Sequence, residues 1–129
     1  MIVLPKELKF TEEHEWVKID GDRVIVGITD YAQKELGDVV FVDLPGVGEK
    51  VTAKSPIATI ESVKAVSEVY APVSGEIMET NDALEHSPEF VNQDPYGKGW
   101  IMIIEPSDRE EIKQLLSPSA YAGLIGEKL

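Results

Sequence analysis

Up to residue 105 the chain is dominated by short runs in which apolar and polar residues alternate, separated by turn-forming clusters, and this period of two predicts an all-β core. Glu15-Trp16-Val17-Lys18-Ile19 and Arg23-Val24-Ile25-Val26-Gly27 flank Asp20-Gly21, two residues that tolerate positive φ, and read as the strands of a hairpin. Asp30 through Leu36 reads as a short helix, with Asp30 as N-cap, Gln33 reaching back and Gly37 after the last turn. So short a helix holds only if it packs on the sheet. Val39-Val40-Phe41-Val42 and Lys50-Val51-Thr52 read as further strands. Pro56 to Ile60 and Val69 to Val73 enclose a polar stretch and read as a hairpin, and Pro72-Val73-Ser74-Gly75 then turns the chain into Glu76 to Thr80. A polar stretch from Asn81 to Gly97 leads to Trp100-Ile101-Met102-Ile103-Ile104, apolar on both faces and so predicted as a central, covered strand. Pro106 ends it. Ser107-Asp108-Arg109-Glu110 is a capping box for a helix that places Ile112, Leu115 and Leu116 on one face. Ser117-Pro118 repeats the start signal, and the last helix should run from Ser119 to about Lys128.

This order of elements predicts one domain over 1–129, a β sandwich or barrel over about 10–105 with a helical segment over about 107–128. At 129 residues the chain can bury roughly two-thirds of its unfolded surface. Lys and Arg number 12 against 24 Asp and Glu, a net charge of −12, which argues against nucleic acid or an anionic membrane as partner and favours proteins with basic docking surfaces. No cysteine is present, so any sulfur chemistry must come from an attached group. Met1 to Lys6 has too few apolar residues for a signal peptide or a membrane span, and no Arg- and Ser-rich transit leader is visible. A prokaryotic cytoplasmic protein is the expectation.

Most candidate chemistry dissolves on inspection. Gly46-Val47-Gly48-Glu49-Lys50 and Gly97-Lys98-Gly99 lack the remaining glycines and the following helix of a phosphate loop. His14 and His86 have no partner at metal-ligand spacing, so no metal site is predicted, although His14 is left free to face a cleft. Trp16 and Trp100 read as core. No pair of carboxylates stands out from the generally acidic surface as an acid–base pair, so no catalytic residue is assigned.

Lys64 is different. It lies at the centre of Glu61-Ser62-Val63-Lys64-Ala65-Val66-Ser67-Glu68, the tip of the predicted hairpin, where an ammonium on a four-carbon stem projects beyond any core contact and is open to an acylating enzyme. From the residues alone it is either such a modification site or an ordinary solvated turn lysine.

Glu61-Ser62-Val63-Lys64-Ala65, followed by Tyr70-Ala71-Pro72-Val73-Ser74-Gly75-Glu76-Ile77, resembles the lipoyl-attachment segment of the glycine cleavage system H protein family. The resemblance extends to His14-Glu15-Trp16-Val17, to Val26 through Gln33, to Leu36 through Pro45, and to Asn92 through Trp100, in order along nearly the whole chain. Val63 stands before the lysine where lipoyl domains of 2-oxoacid dehydrogenase acyltransferases have Asp, no long linker is present, and Val63 and Ala65 replace the methionines that flank a biotinyl lysine.

The resemblance implies a mainly β fold, a barrel-sandwich hybrid of two antiparallel sheets of the lipoyl- and biotinyl-carrier kind, with a short internal helix and C-terminal helices. It implies lipoate in amide linkage to Lys64, with Glu61, Ser62, Val63 and Ala65 as the motif that the lipoate-attaching enzyme recognises. In the family, the pyridoxal-phosphate glycine decarboxylase (P protein) loads an aminomethyl group on the arm. A folate-dependent aminomethyltransferase (T protein) removes it, and dihydrolipoamide dehydrogenase (L protein) reoxidises the dithiol. The family's arm-holding acidic positions fall on Glu15 and Glu68, the latter often Asp; a position where some members carry a hydroxyl is Glu13 here. For each carboxylate a solvated strand or turn residue is the competing reading. Two alternatives to the glycine cleavage role are a related lipoyl relay protein and a non-lipoylated acidic β module that binds a basic partner.

Overall fold

The computed structural model describes residues 2–127. Strands β1 (Lys9–Phe10), β2 (Glu15–Asp20) and β3 (Arg23–Ile28) lead into helix α1 (Asp30–Leu36), followed by β4 (Val39–Asp43), β5 (Lys50–Val51), β6 (Pro56–Ser62), β7 (Val66–Tyr70) and β8 (Gly75–Thr80). The chain ends with α2 (Phe90–Gln93), β9 (Met102–Pro106) and α3 (Pro118–Ile125). Two antiparallel sheets result, one ordered β1-β2-β3-β9-β8-β5 and the other β4-β6-β7. They form a sandwich, as the mainly β expectation requires, without closing into a barrel.

Between the sheets, Val24, Val26, Ile77, Met102 and Ile104 of the larger meet Val39, Val42, Ala58, Ile60 and Val69 of the smaller. Each buried Val, Ile or Met among them contributes on the order of 1.5–3 kcal/mol through its removal from water. A second cluster forms outside the larger sheet from Leu4, Leu8, Phe10, Trp16, Tyr121 and Ala122. There the Phe10 and Tyr121 rings stack at 4.8 Å. Phe10 and Leu116 exchange both backbone hydrogen bonds, at 2.9 and 2.7 Å, which brings the C-terminal segment back onto the first strand. Trp16 donates its indole N–H to the Pro95 carbonyl at 2.9 Å, so it is core with a satisfied polar end.

Several predicted elements shift. Asp20 pairs with Arg23, so the hairpin turn is Gly21-Asp22, with positive φ at Gly21 alone. Thr29, not Asp30, caps α1: its hydroxyl accepts from Ala32 N–H, while the Asp30 carboxylate is drawn off to Val3 N–H, Gln33 and Lys34. The central strand runs Met102–Pro106 rather than from Trp100, because the Asn81 side chain donates to the carbonyls of Lys98 and Trp100 and holds that stretch as a bound loop. The polar stretch after Asn81 contains a 3-10 turn over Asp82–Glu85 and the short α2. The capping-box segment is a 3-10 helix, Arg109–Gln114, with Asp108 as its cap. Ser117 caps α3 with Pro118 at its first position; the helix stops at Gly126 in the left-handed region, and the expected extension to Lys128 lies outside the described residues.

The corner between α1 and β4 is fixed from within and from outside. Gly37 sits at φ 76 and returns its N–H to Gln33. Asn92 of α2 then ties the corner from outside: its Oδ1 accepts from Val39 N–H at 2.8 Å, and its Nδ2 donates to Gly37 O at 2.9 Å and Gln33 Oε1 at 3.1 Å. Asn92→Ala removes all three bonds and leaves the Val39 amide without its acceptor. We expect a loss of about 1–3 kcal/mol in urea unfolding, with an unchanged dependence on denaturant because the folded core stays intact.

Candidate functional site

The β6–β7 hairpin closes without the glycine-containing pair that tight turns usually use. Ser62 takes that role: its Oγ accepts from Ala65 N–H at 3.1 Å and Lys64 N–H at 3.3 Å, and its own amide donates to Ala65 O at 2.8 Å. The tip is also tied sideways, since Val63 N–H donates to Asp38 O at 3.0 Å and Ser62 pairs with Val39. Lys64 is exposed, and its stem passes over the α1 corner, where a Cβ added to Gly37 would lie 3.3 Å from Lys64 Cε. An exposed side chain thus starts from a hydrogen-bonded root.

Beside the tip opens a cleft of about 380 Å³ between the hairpin, α1 and the start of β2. Its apolar walls include Ile28, Leu36, Ile60 and Val69, and the exposed carboxylates of Glu13, Glu35 and Glu68 stand around it. Ala65 lines it too. Glu15, only 1% exposed, belongs to the same cleft. Its Oε1 accepts from the Thr11 hydroxyl at 2.6 Å and its Oε2 from Tyr70 N–H at 3.1 Å. Because β7 is an edge strand, the Tyr70 amide finds its acceptor in a side chain rather than in another strand. Burial pushes the Glu15 carboxyl up to about 7, against the pull of these two hydrogen bonds and with a small addition from Glu13.

His14, also on the cleft, holds φ 74, a costly conformation for a residue with a Cβ. Its Nδ1 lies 2.8 Å from the Tyr121 hydroxyl, which lies 2.8 Å from Thr29 Oγ1. Thr29 Oγ1 also accepts from Ala32 N–H, so the Tyr121 hydroxyl links the start of α1 to the His14 ring. Burial lowers the His14 pKa, with Glu13 and Glu35 opposing it, so the ring is neutral near pH 7.

The cleft brings together Glu15, Ala65 and Glu68 from far apart in sequence, whereas Glu61, Ser62 and Val63 do not line it. Glu61 faces solvent from β6, Ser62 builds the turn, and Val63 is 70% exposed. Sequence reasoning missed Thr11, Tyr31, Glu35 and Leu36. The last three share one face of α1 at helical spacing with Ala32, a signal present in the pattern but without direction until the helix is placed.

The family model described as Glycine cleavage H-protein matches residues 8–128. The chain is similar to the glycine cleavage system H protein of Halalkalibacterium halodurans, at 54% identity over 97% of this chain and 98% of the relative. It is similar to the protein of the same name from Carboxydothermus hydrogenoformans, at 52% identity over 99% of this chain and 98% of the relative. Among solved structures, the crystal structure of a glycine cleavage system H protein from Mycobacterium marinum superposes with a TM-score of 0.86 at 42% identity, covering 95% of this chain and 99% of that one.

The raised pKa of Glu15 has a signed consequence for stability. Between its ordinary value near 4.5 and its folded value of about 7, the folded chain holds a proton that the unfolded chain has released, so this residue makes stability fall as pH rises across that window. Glu15→Gln removes the titration. Urea unfolding of parent and variant at a series of pH values from 4 to 8 should show the parent losing ground relative to the variant above pH 5; a constant difference would mean that Glu15 titrates normally.

Proposed function

The chain belongs to the glycine cleavage H-protein family, and on that premise we propose that it carries lipoate as an amide on Lys64, with the adjoining cleft as the arm's resting place. It is the lipoyl carrier of the glycine cleavage system, a carrier subunit and not a catalyst by itself. The observation that carries the assignment to Lys64 is an exposed lysine on an anchored hairpin tip, next to a cleft whose apolar walls and acidic rim suit an acyl arm with a cationic load. We read residues 1–129 as one carrier domain working in the cytoplasm, a location that accords with the bacterial sources of the relatives.

When attached, lipoate supplies the pair of sulfur atoms that accepts the aminomethyl group. The chain's residues do the rest. Ser62 and the Val63–Asp38 bond fix where the arm begins, while Ile28, Leu36, Ile60 and Val69 offer it a dry wall. Glu15 and Glu68, which both line the cleft, are the carboxylates that would pair with a primary ammonium, and exclusion of water there would protect a carbon bonded to both nitrogen and sulfur from hydrolysis. With a pKa of about 7 Glu15 is divided between its protonated and charged forms near neutral pH, and a cation beside it would draw its pKa down and favour the charged form. Glu61, Ser62, Val63 and Ala65 form the motif read by the lipoate-attaching enzyme. The glycine decarboxylase loads the carrier, the aminomethyltransferase unloads it and dihydrolipoamide dehydrogenase restores the disulfide.

Peptide mapping after incubation with lipoate and an attaching enzyme should place the whole mass increase on Lys64. Lys64→Arg should take no lipoate and carry nothing, yet shift stability by no more than about 0.5 kcal/mol, because the side chain is exposed. Lipoate on Lys64→Arg would remove the basis of this reading. Replacing Glu68 with Gln should leave lipoylation intact but shorten the lifetime of the aminomethyl-loaded carrier, followed as ammonia release after isolation. A charge-assisted hydrogen bond of roughly 1.5–3 kcal/mol corresponds to a change of about tenfold or more, and partial exposure of Glu68 brings the expectation to several-fold. Equal lifetimes would return Glu68 to the solvent.

A further inference from the structure

Eight large apolar side chains are prominently exposed among the described residues, and four of them, Val40, Phe41, Val63 and Val66, gather at the Lys64 end of the small sheet. Their exposures are 52%, 49%, 70% and 68%. Register explains the grouping: Phe41 pairs with Glu61, and Glu61 with Val66, so the three share one cross-strand row on the outer face, opposite the buried Val42 and Ile60. A β-bulge between Val39 and Phe41 turns Val40 outward as well. Val63 sits on the tip itself, held by Asp38. Exposed carboxylates adjoin this patch: Asp38 beside Val63, Glu61 within the row, and Asp43 and Glu68 in the neighbouring row across Thr59.

We propose that Val40, Phe41, Val63 and Val66 are the surface on which the lipoate-attaching enzyme docks, an inference that rests on Lys64 being the attachment site. Reach selects this partner from the others. The enzymes that load, unload and reoxidise the arm act on sulfur atoms at its far end and can dock at a distance from the hairpin. The attaching enzyme must bring an activated lipoyl carboxyl, such as an acyl adenylate, to the amine at the end of a four-carbon stem. There the nitrogen attacks the carbonyl carbon, the amide bond forms, and AMP leaves with the electron pair of the broken acyl–oxygen bond. Two protons pass from the original ammonium to solvent. The ground immediately around Lys64 is therefore in obligatory contact with that enzyme. An apolar centre adjoined by carboxylates fits an apolar surface bordered by lysine and arginine.

The test measures the initial rate of lipoate incorporation, by intact mass, against concentration of the unmodified chain, using lipoate, ATP and a lipoate–protein ligase that modifies the parent. Phe41→Ser should raise KM about tenfold with kcat unchanged, the loss expected of a central interface side chain, and Val40→Thr should raise it several-fold. Ile19→Ser, at another exposed apolar position, should keep the parent KM. Parent-like thermal unfolding of each variant shows that folding is not the cause, and Val40→Thr carries the test should Phe41→Ser fold poorly. Lipoylation of the parent at Lys64 with parent KM values for Phe41→Ser and Val40→Thr overturns the docking surface and leaves the attachment site standing. A parent that takes no lipoate at Lys64 overturns both.

Discussion

The amide of Val63 donates to the carbonyl of Asp38 across the gap between the hairpin tip and the α1–β4 corner, and most of the site's geometry depends on that contact. A swinging arm gains reach from flexibility in its own bonds, but a flexible root would add disorder that every partner has to overcome on binding. Here the root is restrained from two directions. Ser62 ties the turn within the hairpin, and the corner ties it from outside, itself tied by Asn92. Gly37 belongs to the same device, since its positive φ turns the chain into β4 and its missing side chain lets the Lys64 stem pass.

The cleft adds a second restraint of a different kind. Glu15 is removed from water, yet both of its oxygens are engaged, one by a hydroxyl four residues back and one by an amide fifty-five residues on. Removing a carboxylate from water raises its pKa, whereas two donors lower it, and burial dominates here. The group is thus near balance at neutral pH, where a small change in nearby charge decides its state. His14 faces the same cleft and is tied through the Tyr121 hydroxyl to a helix at the other end of the chain. The C-terminal helix therefore takes part in shaping a cleft that it does not line.

Periodicity made the β core and the Lys64 hairpin legible, because alternation at Val24 and Val26 or at Ala58 and Ile60 reports burial of one sheet face directly. It could not say which sheet a strand joins: β7 and β8 are consecutive, yet they lie in different sheets. Capping was less legible. Thr29 and Asp30 are both good cap residues, and Thr29 takes the cap while the Asp30 carboxylate is engaged by the distant Val3 amide and, within the helix, by Gln33 and Lys34. The cleft lay furthest from the sequence. Glu15 occupies an ordinary-looking strand start, and its burial follows only from the approach of Tyr70 and Thr11. Pattern alone gave no reason to single it out.

The surface around Lys64 combines two properties that usually exclude one another. A net charge of −12 keeps copies of the chain apart, while four exposed apolar side chains beside a solvent-facing lysine would otherwise favour self-association. Glu61 between Phe41 and Val66 makes the compromise at the scale of one cross-strand row. Two copies meeting through this row would bring like carboxylates together in a poorly hydrated interface, a cost that a partner with basic residues at its rim avoids. Acidity thus selects the partner by repulsion of the wrong one, and the apolar centre supplies the attraction once the charges are matched. Because acylation of Lys64 removes a positive charge from this neighbourhood, the modified surface is more acidic than the unmodified one, and a basic-rimmed enzyme gains nothing in selectivity against the product from long-range charge alone. Discrimination between substrate and product must then come from short-range contact at the tip, where Val63 and the amine itself are presented on a hydrogen-bonded root.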